Sequence, residues 1–292
     1  MSFLGLYSPR QFRRLPAGKR RDVITSTVVT LVMCILAFLW LFPFIWSVLT
    51  SLMTSAELSR GGLQLPSTLI WDNYPQAFDR MNYPQAFRNS MFFAGGTALL
   101  QCITGALAAY AFARLEFPGR GILFILALAT LMIPGTVTLT ANFVILNNLG
   151  WLDTFAALII PSGASGFSIF LLRQFFMTLP KELEEAARLD GAGPLKFLFY
   201  IGLPLARPAL VTVFIFVFIS SYNEFLWPLV MTSSRSMRVL QIAMQTFRSE
   251  LGAGIIQGPL LAAAILTMLP TIILFLFMQK AFIRGITRSG LK

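Results

Sequence analysis

The sequence predicts an all-α integral membrane protein that crosses the bilayer six times, with both termini in the cytoplasm. Three observations support this fold class. Hydrophobic residues make up 56% of the 292 residues and charged residues only 12%, about half the charged share of an ordinary soluble domain. Several stretches without charge are longer than the roughly 18 residues that a soluble core rarely exceeds. The 23 Lys and Arg residues are concentrated on alternate connecting segments.

Six segments come close to the ~20 apolar residues with which a helix crosses the hydrocarbon layer. They are residues 24–50, 89–112, 121–146, 155–176, 208–230 and 260–281. In the fourth, Pro161, Gly163 and Gly166 interrupt the helix, so we expect its outer end to form a separate short helix or a re-entrant segment. The first is far longer than the ~7–15-residue apolar region of a signal peptide, and no A-x-A-like site follows it. We therefore predict an uncleaved anchor.

The basic residues predict the orientation. With a cytoplasmic N-terminus, the cytoplasmic segments hold 17 Lys and Arg residues and the outer segments hold 6, as the positive-inside rule requires. Residues 1–22 then form a basic cytoplasmic arm, and residues 23–292 form the transmembrane domain. The arm either only sets the topology or also contacts anionic lipid. Both interpretations account for the net charge of +11 without nucleic acid.

The residue types exclude several kinds of chemistry. The chain has no His, and His is the commonest metal ligand and general base near neutral pH. Cys34 and Cys102 lie in apolar runs and are expected to pack as small apolar residues. No acidic cluster lies in the spans, and there is no G-x-x-x-x-G-K-[ST] phosphate-binding loop. We therefore predict no catalytic residue, no metal site and no enzyme activity.

A charged stretch, KELEEAARLDGAG at residues 181–193, interrupts two apolar regions. Pro180 suits the first turn of a helix, and the three Glu residues that follow suit its positive N-terminal end. Gly191 is a candidate C′ cap, and Pro194 can begin a second short helix. Residues 178–207 are thus predicted to form two short cytoplasmic helices joined by a glycine bend. The Glu residues match an anionic lipid surface poorly, which favours a protein partner.

The same stretch carries a spaced pattern: E-A-A, three residues, G, nine residues, I-x-L-P, from Glu185 to Pro204. It resembles the cytoplasmic signature of membrane permease subunits of ATP-binding-cassette (ABC) importers. EEAARLDGA, NEFLWPL, FRNSMFFA and the C-terminal FIRGITRSGLK are similar to the carbohydrate-uptake branch, which includes the maltose permease partner subunit. The tail departs mildly from that branch at Arg288 and Ser289. The resemblance covers most of the chain after residue 22, and we call residues 178–207 the EAA loop.

The resemblance implies a type I ABC importer permease fold with a cytoplasmic coupling-helix pair, in a bacterial or archaeal inner membrane. The chain would form half of the path for a sugar or sugar-like solute. Its partners would be a second homologous permease, an ATPase dimer that uses ATP and Mg, an extracytoplasmic solute-binding protein or lipoprotein, and membrane lipid. The chain itself would bind no cofactor. The implied ATPase-coupling residues are Glu184, Glu185, Ala186, Ala187, Asp190 and Gly191, with Leu203 and Pro204 fixing the bend.

Glu224 is the one acidic residue well within an apolar run, where a carboxylate is costly and marks a functional candidate. Together with Tyr222 and Asn223 it either faces the solute path or bonds to the partner permease or a neighbouring helix. The alternative function is a secondary, ion-coupled transporter. Such folds often have inverted repeats and several intramembrane charges, whereas this chain shows no two-half symmetry and one candidate acid.

Overall fold

The computed structural model describes residues 16–250, 252 and 258–289. Most of the predicted N-terminal arm and the last three residues of the C-terminal tail therefore lie outside the described residues. The described parts of the chain are helical and contain no β-strand. Their helices are α1 (Ala17–Ser51), α2 (Ser55–Arg60), α3 (Asn73–Arg80), α4 (Tyr83–Arg114), α5 (Arg120–Met132), α6 (Gly135–Asn148), α7 (Phe155–Ile159), α8 (Gly166–Thr178), α9 (Glu182–Leu189), α10 (Pro194–Leu205), α11 (Arg207–Asn223), α12 (Leu226–Met231), α13 (Leu240–Glu250) and α14 (Gly258–Ser289).

Between three and five membrane spans follow from the lengths and composition of the described helices. Parts of α1, α4 and α14 are each long and apolar enough to cross a bilayer alone. Two further pairs qualify only if each counts as one bent span: α5 with α6, bent by 99°, and α10 with α11, bent by 76°. The helical membrane fold is thus supported, and the sixth span stays a prediction.

Proline and glycine residues explain where the helices bend or stop. The third predicted span was continuous, but it bends before Pro134, because a proline ring excludes the preceding residue from helical geometry. Ile133 is accordingly extended, with φ −91° and ψ 115°. The predicted break in the fourth segment is confirmed: α7 ends at Ile159, and α8 begins at Gly166 with the Ser165 side chain capping it.

The described residues fall into two compact units, of which the first comprises residues 16–73 and 258–265. Within it, α1 exposes apolar side chains along its length, with Trp40 77% exposed, as expected of a helix surrounded by lipid. After α1, the Thr54 side chain and Glu57 form a reciprocal capping box at α2, a standard helix start. These hydrogen bonds and one from the Ser67 hydroxyl, the largest contribution, lower the pKa of Glu57 to about 2.

The second unit comprises residues 74–250, 252 and 266–289, and α4 lies at its centre. α4 packs against α8 and α11 through a stripe of small residues, including Ala98, Gly105 and Ala109. A Cβ atom at Gly105 would lie 3.1 Å from the Cβ atom of Ser168. Small residues let transmembrane helices approach closely, so this stripe brings the polar groups of α4 and α8 together.

Candidate functional site

The EAA loop begins with α9, which ends in a glycine cap. The N–H of Ala192 donates to the carbonyl of Ala187 (2.8 Å), and the N–H of Gly191 donates to that of Arg188 (3.0 Å). Gly191 has φ +77°, the left-handed conformation that glycine adopts without a Cβ penalty. This pattern is a Schellman motif, and it confirms the predicted C′ cap.

The predicted coupling residues divide between two faces of α9. Glu184 and Ala187 are buried, and a Glu184 oxygen lies 2.9 Å from an Arg188 guanidinium nitrogen. Glu185, Ala186, Asp190 and Gly191 are exposed. Further along the loop, Leu203 is half-buried and Pro204 is exposed. Four of the eight predicted residues, all on α9 and its cap, are therefore accessible to another molecule, and their role as ATPase contacts stays a prediction.

Leu189 of α9 is not among the residues that the sequence pattern singled out. Leu189 is 91% exposed, and Tyr200 on the second helix is 77% exposed. Exposed apolar side chains beside charged groups are typical of protein interfaces. Because residues two apart on a helix face in different directions, the burial of Ala187 requires Leu189 to point away from the protein.

An aromatic cluster packs against the second helix of the EAA loop. Tyr110 of α4 stacks on Phe197 of α10, with ring centroids 6.0 Å apart, and meets the edge of Phe176 of α8 at 5.9 Å. All three side chains are almost completely buried. Such rings contribute apolar burial and a preferred mutual geometry, so the second helix of the loop is held against two of the long helices.

Two arginines tie α4 and α8 together beside this cluster. Arg114, the last residue of α4, donates from Nε and Nη2 to the carbonyl oxygen of Phe176 (3.1 and 2.7 Å) and from Nη2 to that of Leu179. Arg173 of α8 donates to the carbonyl oxygen of Phe112 (3.2 Å), and its Cζ lies 4.1 Å from the ring centroid of Phe124. Each helix thus satisfies the terminal carbonyls of the other.

The three residues predicted for the solute path have different environments. Tyr222 is buried, and its hydroxyl donates to the carbonyl oxygen of Thr267 (2.7 Å). Asn223 is exposed and donates to the Ile219 carbonyl oxygen (2.8 Å). Glu224 is half-buried and caps α12, where its Oε1 accepts hydrogen bonds from the N–H groups of Leu226 (3.1 Å) and Trp227 (3.3 Å). Of the three, Glu224 lines a cavity.

This polar cavity has a volume of about 430 Å³ and lies entirely within the second unit. Its hydroxyl groups come from Thr97, Thr136, Ser162, Ser220 and Ser221. Gln101 and Glu224 add an amide and a carboxylate, and the apolar part of the wall includes Trp227. The volume falls in the range of about 300–1,000 Å³ that is usual for small-molecule sites.

A separate groove, which we call the arginine groove, lies between the start of α4 and α13. Arg80, Arg235, Arg238 and Glu250 line it, and no described residue forms an ion pair with any of the three arginines. Asn89 fixes the backbone of residues 236–238 by donating to the carbonyl oxygens of Ser236 (2.7 Å) and Arg238 (2.9 Å).

Asp153 anchors the residues that precede the arginine groove. Its Oδ1 accepts hydrogen bonds from the N–H groups of Ser233 and Ser234, both at 3.0 Å. Burial opposes ionisation of Asp153, but the two backbone bonds and the Ser234 side chain together outweigh it and lower its pKa. The anchored loop and the Asn89 bonds give Arg235 and Arg238 a fixed backbone.

Membrane-length helices, a polar cavity and an exposed helical loop are the features expected of a membrane transport permease. The chain belongs to the family of binding-protein-dependent transport system inner membrane components, whose pattern matches residues 101–288. The predicted membership of the ABC importer permeases is thereby confirmed.

Relatives of known name extend over nearly the whole chain. The arabinooligosaccharides transport system permease protein AraQ of Halalkalibacterium halodurans is 35% identical over 94% of this chain and 99% of its own length. The sn-glycerol-3-phosphate transport system permease protein UgpE of Yersinia pestis is 33% identical (85% and 91%). The lactose transport system permease protein LacG of Rhizobium radiobacter is 31% identical (95% and 97%).

Solved structures agree with this family. A chain of a bacterial ABC transporter involved in the import of the acidic polysaccharide alginate superimposes with a TM-score of 0.77 and 25% identity, over 92% of this chain and all of the other. A second structure, of a bacterial alginate ABC transporter in complex with a pentasaccharide-bound periplasmic protein, gives a TM-score of 0.62 at 16% identity. The second likeness concerns the fold alone.

Proposed function

We propose that this chain is one of two permease subunits of an ATP-driven, binding-protein-dependent importer of a sugar or sugar-like solute. The observation that carries the proposal is the EAA loop of a family member: a capped helix with an exposed leucine and exposed carboxylates. The named relatives transport arabinooligosaccharides, lactose and glycerol 3-phosphate. The ion-coupled alternative has no observation in its favour.

The EAA loop is suited to transmit a conformational change from the partner ATPase to the membrane-spanning helices. Its helices are fixed to α4 and α8 by the aromatic cluster and Arg114, so force applied at α9 is passed to those helices. ATPase closure is a two-state event, and a rigid element that docks on it can bias the spans toward one state. In this proposal Glu185, Ala186, Asp190 and Gly191 contact the ATPase, whereas Glu184 and Ala187 hold α9 in place.

The proposed membrane arrangement has six spans, with both termini and the EAA loop in the cytoplasm of a bacterial or archaeal cell. The distribution of Lys and Arg supports this orientation, and the broken segment of α7 and α8 supplies the remaining span. ATP and Mg are used by the partner ATPase, since the phosphate-binding loop is absent from this sequence.

The test of this function is reconstitution. Proteoliposomes that contain this chain, its second permease and the ATPase should take up the solute that the binding protein delivers only when ATP is hydrolysed. Uptake should persist when ionophores collapse the ion gradients. Uptake that stops with the gradients and continues without ATP would instead identify an ion-coupled transporter.

The arginine groove is the candidate contact for the solute-binding protein, because the proposed orientation places it on the outer face. Three arginines without an ionic partner among the described residues would attract an acidic surface and speed its docking. Replacing Arg80 and Arg235 together with Glu should lower the association rate of the binding protein roughly tenfold at low salt, and less at high salt. Surface plasmon resonance with the complex in nanodiscs measures this.

Arg248→Glu is the matched control for this experiment. Arg248 is an exposed arginine of α13 that does not line the arginine groove. Arg248→Glu changes the charge by the same amount as each single groove variant, Arg80→Glu or Arg235→Glu. The groove variants should slow association, but in Arg248→Glu the association rate should remain near that of the wild type. Equal slowing by the control and by each single groove variant would show a general charge effect and overturn the assignment.

A further inference from the structure

The hydroxyl groups of the polar cavity differ from those elsewhere in the helices. Most Ser and Thr side chains of the described helices donate to a backbone carbonyl three or four residues earlier, as Thr104 and Thr212 do. The five cavity hydroxyls, defined above, make no hydrogen bond to any described residue, and that of Thr97 is buried. A buried hydroxyl without a partner is destabilising. These groups are therefore available to a ligand that carries donors and acceptors of its own.

The other groups of the wall are held in place. The Gln101 amide donates to the Ser162 carbonyl oxygen (2.6 Å) and accepts from the Ser168 hydroxyl (2.8 Å). The Trp227 indole N–H donates to the Leu158 carbonyl oxygen (3.2 Å). A fixed aromatic ring beside free hydroxyls suits a ligand with C–H faces and an edge of hydroxyl groups.

The charge of the cavity wall favours neutral ligands over anionic ones. Glu224 is the one ionisable residue that lines the cavity, and no Lys or Arg does. Its two hydrogen bonds from the start of α12 hold the carboxylate at the wall. Carboxylates and phosphates are usually bound by Arg or Lys. Here such a ligand would lose water and meet a like charge at reduced dielectric.

We propose that the polar cavity is a subsite for an uncharged, polyhydroxylated solute and that Glu224 selects against uronates and phosphoesters. This inference rests on the proposed function, and it narrows the solute class to neutral saccharides or polyols. It separates this chain from relatives and structural neighbours whose names specify an anionic solute.

Saturation-transfer NMR on the assembled transporter in nanodiscs, without binding protein or ATP, tests the proposal. Arabinotriose and lactose are the neutral probes, and trigalacturonate and sn-glycerol 3-phosphate are the anionic ones, at equal concentration and low salt. The neutral probes should give signals roughly tenfold stronger than the anionic ones. Glu224→Gln retains an oxygen that can accept the two N–H bonds, and it should reduce this difference severalfold. Glu116→Gln, at an exposed carboxylate between α4 and α5 that does not line the cavity, should leave it unchanged.

A second variant tests the hydroxyl groups without endangering the fold. Thr97→Val removes a hydroxyl that has no partner, so the thermal unfolding temperature should hold or rise while the neutral-probe signal falls. Equal signals from neutral and anionic probes in the wild type, or no response to either Glu224→Gln or Thr97→Val, would overturn the proposal. Since no ATP is involved, these results are independent of ATP-driven uptake, whose loss would instead contradict the proposed function.

Discussion

Gly191→Asp is expected to abolish ATP-driven uptake and to release the ATPase from the assembled complex. The residue has φ +77°, so a side chain there costs about 1–2 kcal/mol of backbone strain and weakens the cap that ends α9. No atom lies within 4 Å of the position of a Cβ, so the new carboxylate would project from the loop without a clash. It would lie next to Asp190, on the surface proposed to enter the ATPase.

The measurements are co-purification of the ATPase and uptake by proteoliposomes, for which we expect a loss of roughly 100-fold or more. This corresponds to about 2.7 kcal/mol, a size usual for a residue at the centre of an interface. Gly193→Asp is the matched control. Gly193 is extended, with φ −71° and ψ 170°, and it is the N-cap of α10, where Asp is favoured.

The two glycine variants carry the same charge two residues apart, but one strains the loop and the other stabilises a helix start. Gly193→Asp should therefore retain most of the ATPase association. Normal uptake together with normal ATPase association in Gly191→Asp would show that the EAA loop is not the docking element. Equal loss in both variants would indicate that added negative charge, rather than the geometry of the cap, disrupts the contact.

The sequence predicts those features of the EAA loop that depend on neighbouring residues alone. A glycine that follows a short helix is a C′ cap because only glycine adopts left-handed geometry without cost, and Gly191 confirms this. The direction of Leu189 required one further fact, the burial of Ala187, which tertiary packing decides. Periodicity gives the relative directions of residues on a helix, but it does not give the face that meets the protein.

The residues that line the polar cavity were less predictable, for a geometric reason. Tyr222, Asn223 and Glu224 are consecutive, and consecutive residues at a helix end point in different directions. Of the three, Glu224 lines the polar cavity, whereas the Tyr222 hydroxyl bonds to Thr267 and Asn223 bonds to Ile219. The hydroxyl of Thr97 comes from α4 and that of Ser162 from the turn between α7 and α8. Both are distant from Glu224 in sequence, so no local pattern joins them to it.

The membrane spans, too, could be predicted only in part from the sequence. Counting apolar residues locates the long helices, because the thickness of the bilayer sets their length. The count gives no information about bends. The third predicted span is mostly apolar, yet it bends by 99° at Pro134. The basic residues, likewise, were informative only as charges. The sequence gives no sign that Arg114 binds carbonyl groups of another helix.

Arg114→Met should consequently have an effect much larger than the loss of one positive charge. The guanidinium satisfies carbonyls of Phe176 and Leu179 at the end of α8, just before the EAA loop. Hydrogen bonds of charged groups contribute about 1.5–3 kcal/mol each, so the thermal unfolding temperature of the complex should fall by several degrees. Uptake per ATP hydrolysed should also fall, because α8 no longer holds α9 at a fixed position.

The coupling ratio, which is the solute uptake per ATP hydrolysed, shows whether Arg114 positions the EAA loop or only stabilises the fold. It should fall at temperatures where the Arg114→Met complex remains assembled, whereas a residue that only stabilises the fold would leave the ratio unchanged until the complex unfolds. Arg120→Gln is the matched control, because Arg120, the first residue of α5, donates to the carbonyl oxygen of Leu115 five residues earlier (3.0 Å) and not to α8. Arg114→Lys retains the charge but not the two-nitrogen contact, so its coupling ratio should lie between those of Arg114→Met and the wild type. A normal ratio in Arg114→Met would mean that the link between α4 and α8 has no part in transmitting ATPase closure to the spans.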